Sequence, residues 1–105
     1  MNRTATLLDA KDAAEIDVLT FNFSLALASG ETIASAAVTC AVQSGTDATP
    51  GAMLLQAPQI TGRTVLQQIG GGVIGASYLL RCEALLSSGR KLALAAVLPV
   101  MRLAP

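Results

Sequence analysis

The sequence predicts an all-β sandwich of about seven strands, and three features support that prediction. Several segments alternate apolar and polar residues with a period of two, which is typical of strands that bury one face. Clusters of Gly, Ser, Asp and Pro separate these segments at intervals of roughly 8–12 residues, as turns do in sandwiches. The chain has 105 residues, of which 52% are apolar and 13% charged. This length suffices for one domain with a modest core.

The first two strands are predicted between residues 16 and 42. In "IDVLTFNFSLALASGETI", one parity is apolar and the other more polar, until a Ser-Gly pair ends the pattern. The apolar set is Leu19, Phe21, Phe23, Leu25 and Leu27. Residues 32–42 predict a second strand with its smaller residues on the outer side. The polar, Ala-rich residues 1–15 predict a mobile arm, which leaves 16–103 as the sandwich domain.

The middle of the chain predicts a loop and two further strands. Residues 43–52, "QSGTDATPGA", form a loop by their Gly, Pro, Asp and Ser content. "MLLQAPQI" predicts a short strand at a sheet edge, because Pro58 cannot donate a ladder hydrogen bond. "RTVLQQI" alternates Thr, Leu and Gln with Val, Gln and Ile, and predicts the next strand.

The last two strands are predicted to form a hairpin. "SYLLRCEALL" brings Tyr78, Leu80, Cys82 and Ala84 to one face, and "SSGR" is typical of a hairpin turn. "KLALAAVLPV" is apolar on both faces, and Pro99 marks its end or an unpaired edge. Ala and Leu favour helix by intrinsic propensity. We nevertheless favour strands, because the turn joins two stretches of similar length.

The segment "QQIGGGVIGASYLL" contains Gly70-x-Gly72-x-x-Gly75, the glycine spacing of a dinucleotide-binding loop. Such a loop requires a following helix and an acidic residue about 20 positions later. That position falls in "LAAVLP", and the last acidic residue of the chain is Glu83. We therefore interpret the glycines as a bend from one sheet to the other, since Gly tolerates positive φ.

Gly75-x-x-Tyr78 resembles the corner that introduces strand F of immunoglobulin-like and fibronectin-like sandwiches. There a tyrosine hydroxyl bonds back to upstream backbone, and the ring joins the core. An ordinary half-buried tyrosine is the alternative. In the same layout Cys40 and Cys82 lie on strands B and F, facing each other as packed thiols without an obligatory disulfide.

No catalytic, cofactor-binding or metal-binding residue is predicted, and we expect the protein not to be an enzyme. The chain has no His, which is the commonest general base. Its two cysteines lack a Cys-x-x-Cys spacing and cannot complete a zinc site. The carboxylates form no recognisable pair, and they are expected at turns, strand ends and in the arm.

Neither nucleic acid nor membrane is predicted as a partner. The basic residues are scattered, and Phe21, Phe23 and Tyr78 are the only aromatics, which excludes a stacking platform. The longest apolar run, Leu92–Met101, is far shorter than the roughly 20 residues that span a bilayer. The N-terminus lacks the apolar stretch of a signal peptide.

The distribution of charge leaves two interpretations open. Residues 1–47 carry six acidic and two basic side chains, whereas residues 48–105 carry one acidic and five basic ones. This polarity favours head-to-tail association of copies, unless folding interleaves the two halves. The low charge content likewise indicates either a surface rich in Ala, Ser and Thr or a permanent subunit interface.

Two segments are similar to small immunoglobulin-like proteins of tailed phages and prophages. "IDVLTFNFSLALASGETIAS" resembles their opening, an Asp and an aromatic strand before Gly-Asp/Glu-Thr-Ile-x-Ser. "GGGVIGASYLLRCEALLSSGRKLALAAVLPV" resembles their Gly-Gly-x-x-Gly-x-x-Tyr strand, Gly-Arg hairpin and last strand. The resemblance covers about residues 15–101, although this chain has no Trp. The first segment matches at Asp17, Phe21, Phe23, Leu27, Gly30, Glu31, Thr32, Ile33 and Ser35.

The resemblance implies a non-catalytic structural protein of the virion or tail. Its partners would be other phage structural proteins or copies of itself in a homo-oligomer, bound through apolar edges such as Leu92–Val100. It would be present in the host cytoplasm during assembly and then in the virion. The alternative is a stand-alone recognition module that binds a host receptor or glycan through residues 43–52 and the glycine corner.

Overall fold

The structure, a computed structural model, describes residues 6–103 and consists of two β-sheets around one core. The larger sheet has the order β1-β8-β7-β4, with β2 also paired to β8, and the smaller sheet has the order β3-β6-β5. A 3₁₀ helix, Pro50–Met53, lies between β4 and β5. The predicted all-β sandwich is confirmed. The strands are β1 (Thr6–Leu7), β2 (Lys11–Asp12), β3 (Ile16–Asn22), β4 (Ile33–Ser44), β5 (Gln59–Thr61), β6 (Thr64–Gly70), β7 (Ser77–Leu86) and β8 (Lys91–Met101).

The neighbours of β3 to β8 are those of strands B to G in an immunoglobulin constant-type sandwich. Lettered in chain order, they form B–E–D in one sheet and G–F–C in the other. The strand assignment expected for the cysteines is wrong. Cys40 lies on β4, the C position, and β4 pairs directly with β7, which carries Cys82. The two thiols therefore belong to one sheet and do not face each other across the core.

Buried and more exposed residues alternate along β7, as the sequence predicts. Tyr78, Leu80, Cys82 and Ala84 are completely buried, and their neighbours in the strand are more exposed. Burial of one such large apolar side chain stabilises the fold by about 1.5–3 kcal/mol. Because this apolar set has period two and not 3.6, the segment forms a strand despite its helix-favouring Ala and Leu content.

The predicted first strand extends too far. β3 ends at Asn22, and the amides of Ala26 and Leu27 both donate to the Phe23 carbonyl, at 2.9 and 3.2 Å. This turn has helical spacing, so residues four apart point the same way. Phe23 and Leu27 are therefore buried, whereas Leu25 is 94% exposed.

The strand predicted from Met53 onwards is also corrected. Residues 50–53 form the 3₁₀ helix, with Pro50 in its first turn, where the missing N–H costs nothing. β5 begins at Gln59, just after Pro58, and lies at the edge of the smaller sheet. The edge position predicted from the proline is thus confirmed.

Residues 6–15, which the prediction includes in the N-terminal arm, contain two short strands; residues 1–5 lie outside the described part. β1 and β2 pair in parallel with Ala96–Val97 and Val100–Met101 of β8. The two pairings are interrupted opposite Pro99, which has no N–H to donate. Lys11 is only 4% exposed, and its ammonium donates to the carbonyls of Asp12 and Gly71, both at 2.8 Å.

The sequence predicts an open apolar edge over Leu92–Val100. In the structure β1 and β2 cover part of this edge, so β8 is open along only part of its length. It continues past Pro99 to Met101, with β7 on one side and β1 and β2 on part of the other. Within residues 6–103, no helix has the length and hydropathy to cross a bilayer.

Candidate protein-interaction site

The glycine segment is a bend between the two sheets, as predicted. It leads from β6 in the smaller sheet to β7 in the larger one, and a strand follows it where a dinucleotide fold has a helix. Gly71, Gly72 and Gly75 have φ values of 72°, 96° and 90°. At Gly72 a Cβ atom would also approach Val100 Cγ2 to 2.9 Å. The glycines therefore serve backbone conformation and close packing.

Tyr78 holds this bend through its hydroxyl, which confirms the predicted corner. The hydroxyl accepts a hydrogen bond from the Val73 amide and donates one to Asp47 Oδ2, both at 2.7 Å. Asp47 Oδ1 also accepts from the Thr49 amide at 2.9 Å. These bonds, chiefly that from Tyr78, lower the pKa of Asp47. Burial, reinforced by the Asp47 carboxylate, raises the pKa of Tyr78.

The partnership of Asp47 with Tyr78 was not predicted. An Asp in a loop with Pro, Gly and Thr indicates a local turn, and the Asp47–Thr49 bond is such a turn. Nothing in the local pattern indicates a partner 31 residues away. The two segments also touch at Gly45, where a Cβ atom would lie 2.8 Å from Ala76 Cα. The loop after β4 is thus packed against the bend.

A second polar cluster joins the turn before β4 to the hairpin between β7 and β8. The Glu31 carboxylate accepts from Arg90 Nη2 at 2.6 Å, from Arg90 Nε at 3.0 Å and from the Ala28 amide at 2.7 Å. It also accepts from the Ser88 hydroxyl. The Arg90 bonds, followed by those from Ser88 and Ala28, lower the pKa of Glu31 to about 2. This is a bidentate, structural ion pair.

The side of the larger sheet that points away from the core is here called the outer face. Its side chains are mostly Ala, Leu, Val, Ser and Thr, and several are well exposed. Leu7 of β1, which is 75% exposed, extends it beside Val97. Across strands β4, β7 and β8 the face consists of the rows Ala41–Leu79–Val97, Thr39–Arg81–Ala95, Ala37–Glu83–Ala93 and Ser35–Leu85–Lys91.

The outer face is nearly neutral. Arg81 and Glu83 form a salt bridge with each other in its middle, and Lys91 lies at one end. An exposed pair of this kind contributes little to stability. Because the two charges neutralise each other, the middle of the outer face has no net charge. Most of the other side chains on this face are apolar.

Metal-ligating clusters and reactive thiols were the remaining candidates for a chemical site, and the described residues contain neither. Within residues 6–103, no group of three or more His, Cys, Asp or Glu side chains could hold a metal ion. Cys82 is buried and Cys40 half-buried. Burial raises the pKa of both thiols to about 11, so neither is a reactive thiolate near neutral pH.

The fold defines a small all-β sandwich protein whose larger sheet exposes a mostly uncharged face. Residues 11–99 match the family described as "Podophage GP4 fiber-tail adaptor protein gp77". The chain belongs to this family. It is a tail-associated structural protein of a tailed phage, and its location is the virion, as the resemblance implied. No curated protein and no solved structure matches the chain.

Proposed function

We propose that this protein is a non-catalytic adaptor that links fibre and tail proteins of a podophage particle through direct protein contacts. The family description supports this role by naming both a fibre and a tail. The observation that carries the proposal is the outer face, which is broad, apolar and almost free of net charge. Such a face on a small protein is typical of a surface that other proteins cover.

The chemistry of the outer face suits permanent packing. Alanines at positions 37, 41, 93 and 95 allow a partner backbone to approach closely, and Leu79, Leu85 and Val97 supply apolar area between them. Leu85 is 39% exposed, which leaves apolar surface for a partner to bury. The partners are other tail proteins or copies of this chain, met in the host cytoplasm during assembly.

A non-catalytic role agrees with the use of the polar side chains. The carboxylates of Glu31 and Asp47 accept hydrogen bonds that hold loops in place. Both side chains therefore have a structural role. Asp12 accepts the amides of Ala14 and Leu103, at 2.8 and 2.9 Å. The thiols are protonated and buried or half-buried.

The proposal is tested with Ala41→Arg, which adds a charged side chain to an exposed position of the outer face. A phage or prophage lacking this gene is complemented with the variant, and purified particles are probed with antibody. We expect a folded protein that is missing from the particles, because burying an unpaired guanidinium at an interface is unfavourable.

Ala57→Arg is the matched control. Ala57 is also exposed, but it lies in the loop before β5 of the smaller sheet. We expect this variant in particles at the wild-type level. Normal incorporation of a folded Ala41→Arg protein would overturn the proposed use of the outer face.

A further inference from the structure

Among the described residues, no strand pairs with β3 on the side away from β6. Within residues 6–103, β3 pairs with β6 alone, because β1 and β2 lie beside β8 and not in the A position next to strand B. The Val18 amide donates to the carboxylate of its neighbour Asp17, at 2.7 Å, and not to another strand. The Phe23 amide, of opposite parity, donates to Arg63 on the β6 side. By alternation, Val18 and Thr20 therefore direct their backbone groups to the open side.

A groove lies between this open edge and β8, and we call it the β3–β8 groove. Its volume is about 480 Å³. Leu19 and Leu94 have the parity of core residues, yet both remain only partly buried because they line the groove. Part of the core is thus exposed along the side of the sandwich. The lining residues are Thr6, Leu8, Val18, Leu19, Thr20, Phe21, Asn22, Leu94, Ala95 and Ala96, none of which is charged.

One end of the β3–β8 groove is acidic. Leu8 and Leu19 also line a neighbouring pocket that contains Asp9, Glu15 and Asp17, and these carboxylates are exposed. The ammonium of Lys11 lies in the same pocket, but it is buried and donates to two backbone carbonyls. The groove therefore combines uncharged, largely apolar walls with a negatively charged end.

We propose that the β3–β8 groove binds an extended segment of another tail protein as an added strand on β3. Backbone groups of the segment pair with the Val18 carbonyl and with the Thr20 amide and carbonyl, while the Val18 amide keeps its bond to Asp17. The alternate apolar side chains of the segment cover Leu19 and Leu94. A lysine or arginine at one end of the segment meets Asp17. This inference rests on the proposed adaptor role and gives the adaptor a second surface, beside the outer face.

The test measures binding of two labelled peptides by fluorescence anisotropy. Each peptide alternates valine and threonine over the length of β3 and carries, at both ends, either lysine or glutamate. We expect the lysine peptide to bind the wild-type protein at least about tenfold more tightly than the glutamate peptide. Absence of saturable binding of the lysine peptide would overturn the inference.

Thr20→Pro and Thr20→Val separate strand addition from non-specific contact. Proline removes an N–H that faces the open edge, so β3 keeps its pairing with β6 and the fold is retained. We expect Thr20→Pro to weaken binding of the lysine peptide about tenfold or more, and Thr20→Val to leave it unchanged. Equal affinity of the two variants would contradict main-chain pairing.

Asp17→Lys provides a test that does not depend on proline. We expect it to reduce the preference for the lysine peptide, because Asp9 and Glu15 remain at this end while Asp17 is replaced by a positive charge. An unchanged preference would overturn the role of the acidic end. If the peptide experiments fail while Ala41→Arg is still excluded from particles, the groove inference is wrong and the adaptor role remains supported.

Discussion

At Tyr78, one hydroxyl connects three parts of the chain: strand β7, the glycine bend and the loop after β4. It is donor to Asp47 and acceptor from the Val73 amide, within a side chain that has no exposed surface. This buried hydroxyl both donates and accepts a hydrogen bond, so it fixes the two loops relative to β7. Removing it leaves both partners without their hydrogen bond, which destabilises the fold.

We predict that Tyr78→Phe lowers the free energy of unfolding by about 1–3 kcal/mol, since the ring still fills the core while both hydrogen bonds are lost. Urea denaturation followed by circular dichroism measures the difference. Asp47→Asn is the comparison, because its single amide oxygen can accept from the tyrosine but not also from the Thr49 amide. It loses only the more exposed of the two bonds, so we expect a smaller effect. A Tyr78→Phe protein as stable as the wild type would contradict the importance of the corner.

The glycines of the bend can be distinguished by substitution. We predict that Gly72→Ala destabilises the protein by about 1–3 kcal/mol, because its positive φ is strained for alanine and its Cβ would press on Val100. Gly51→Ala is the matched control, since open space surrounds the added Cβ and its φ is not positive. Thermal unfolding of both variants checks the order, and a greater loss at Gly51 would refute it.

At the scale of elements, the Glu31–Arg90 pair joins a turn to a hairpin that is distant in sequence. Hydrogen bonds reinforce the junction, because the Ser87 amide donates to the Thr32 carbonyl at 2.8 Å and the Thr32 amide donates to Ser87 Oγ at 3.0 Å. The β7–β8 hairpin and the start of β4 are therefore held together at this end of the sandwich.

This junction predicts a pH dependence. The pKa of Glu31 falls from 4.5 to about 2 on folding, so its stabilising effect is complete above pH 4.5 and is lost as the pH falls towards 2. We expect Glu31→Gln to lower the thermal midpoint at neutral pH and to flatten the decline of that midpoint in acid. Thermal melts across this range measure it, with Glu83→Gln as the control from the exposed Arg81 pair.

The sequence predicts well those strands that pack one face against the core and expose the other. β4, β6 and β7 follow the period of two, and the hairpin turn lies at Gly89, with a φ of 91°. The prediction fails at Leu25 and at Met53, where local turns replace extended backbone. Apolar residues occur both in strands and in turns of helical spacing. The period of two alone therefore could not show that the extended backbone ends at these positions.

The candidate sites were less predictable than the fold. The Asp47–Tyr78 bond, the outer face and the β3–β8 groove all depend on which strands become neighbours, and pairing between distant strands is not encoded in a local pattern. The small residues at positions 37, 39 and 41 were predicted on an outer side, and they are exposed. Their union with Leu79 and Val97 into one surface required the observed register.

At the scale of the whole molecule, folding brings acidic residues of the first half next to basic residues of the second. Glu31 binds Arg90. Hydrogen bonds from the Ala14 and Leu103 amides lower the pKa of Asp12, and the nearby charges of Lys11 and Arg102 add a smaller effect in the same direction. Simple head-to-tail attraction between two charged halves is therefore weakened within each copy. What remains is local: a neutral outer face and an acidic end to the β3–β8 groove.

The bond between Asp17 and the Val18 amide has a consequence for the unassembled protein. An uncovered strand edge can pair with the same edge of another copy, and repeated pairing of this kind produces aggregates. In a β3-to-β3 stack each copy would bring a further carboxylate to the edge and no further cation, because Asp17 is the one charged residue of β3, and this is unfavourable. Under the proposed binding mode, Asp17 thus disfavours stacking of two copies at the same edge that would accept a cationic strand.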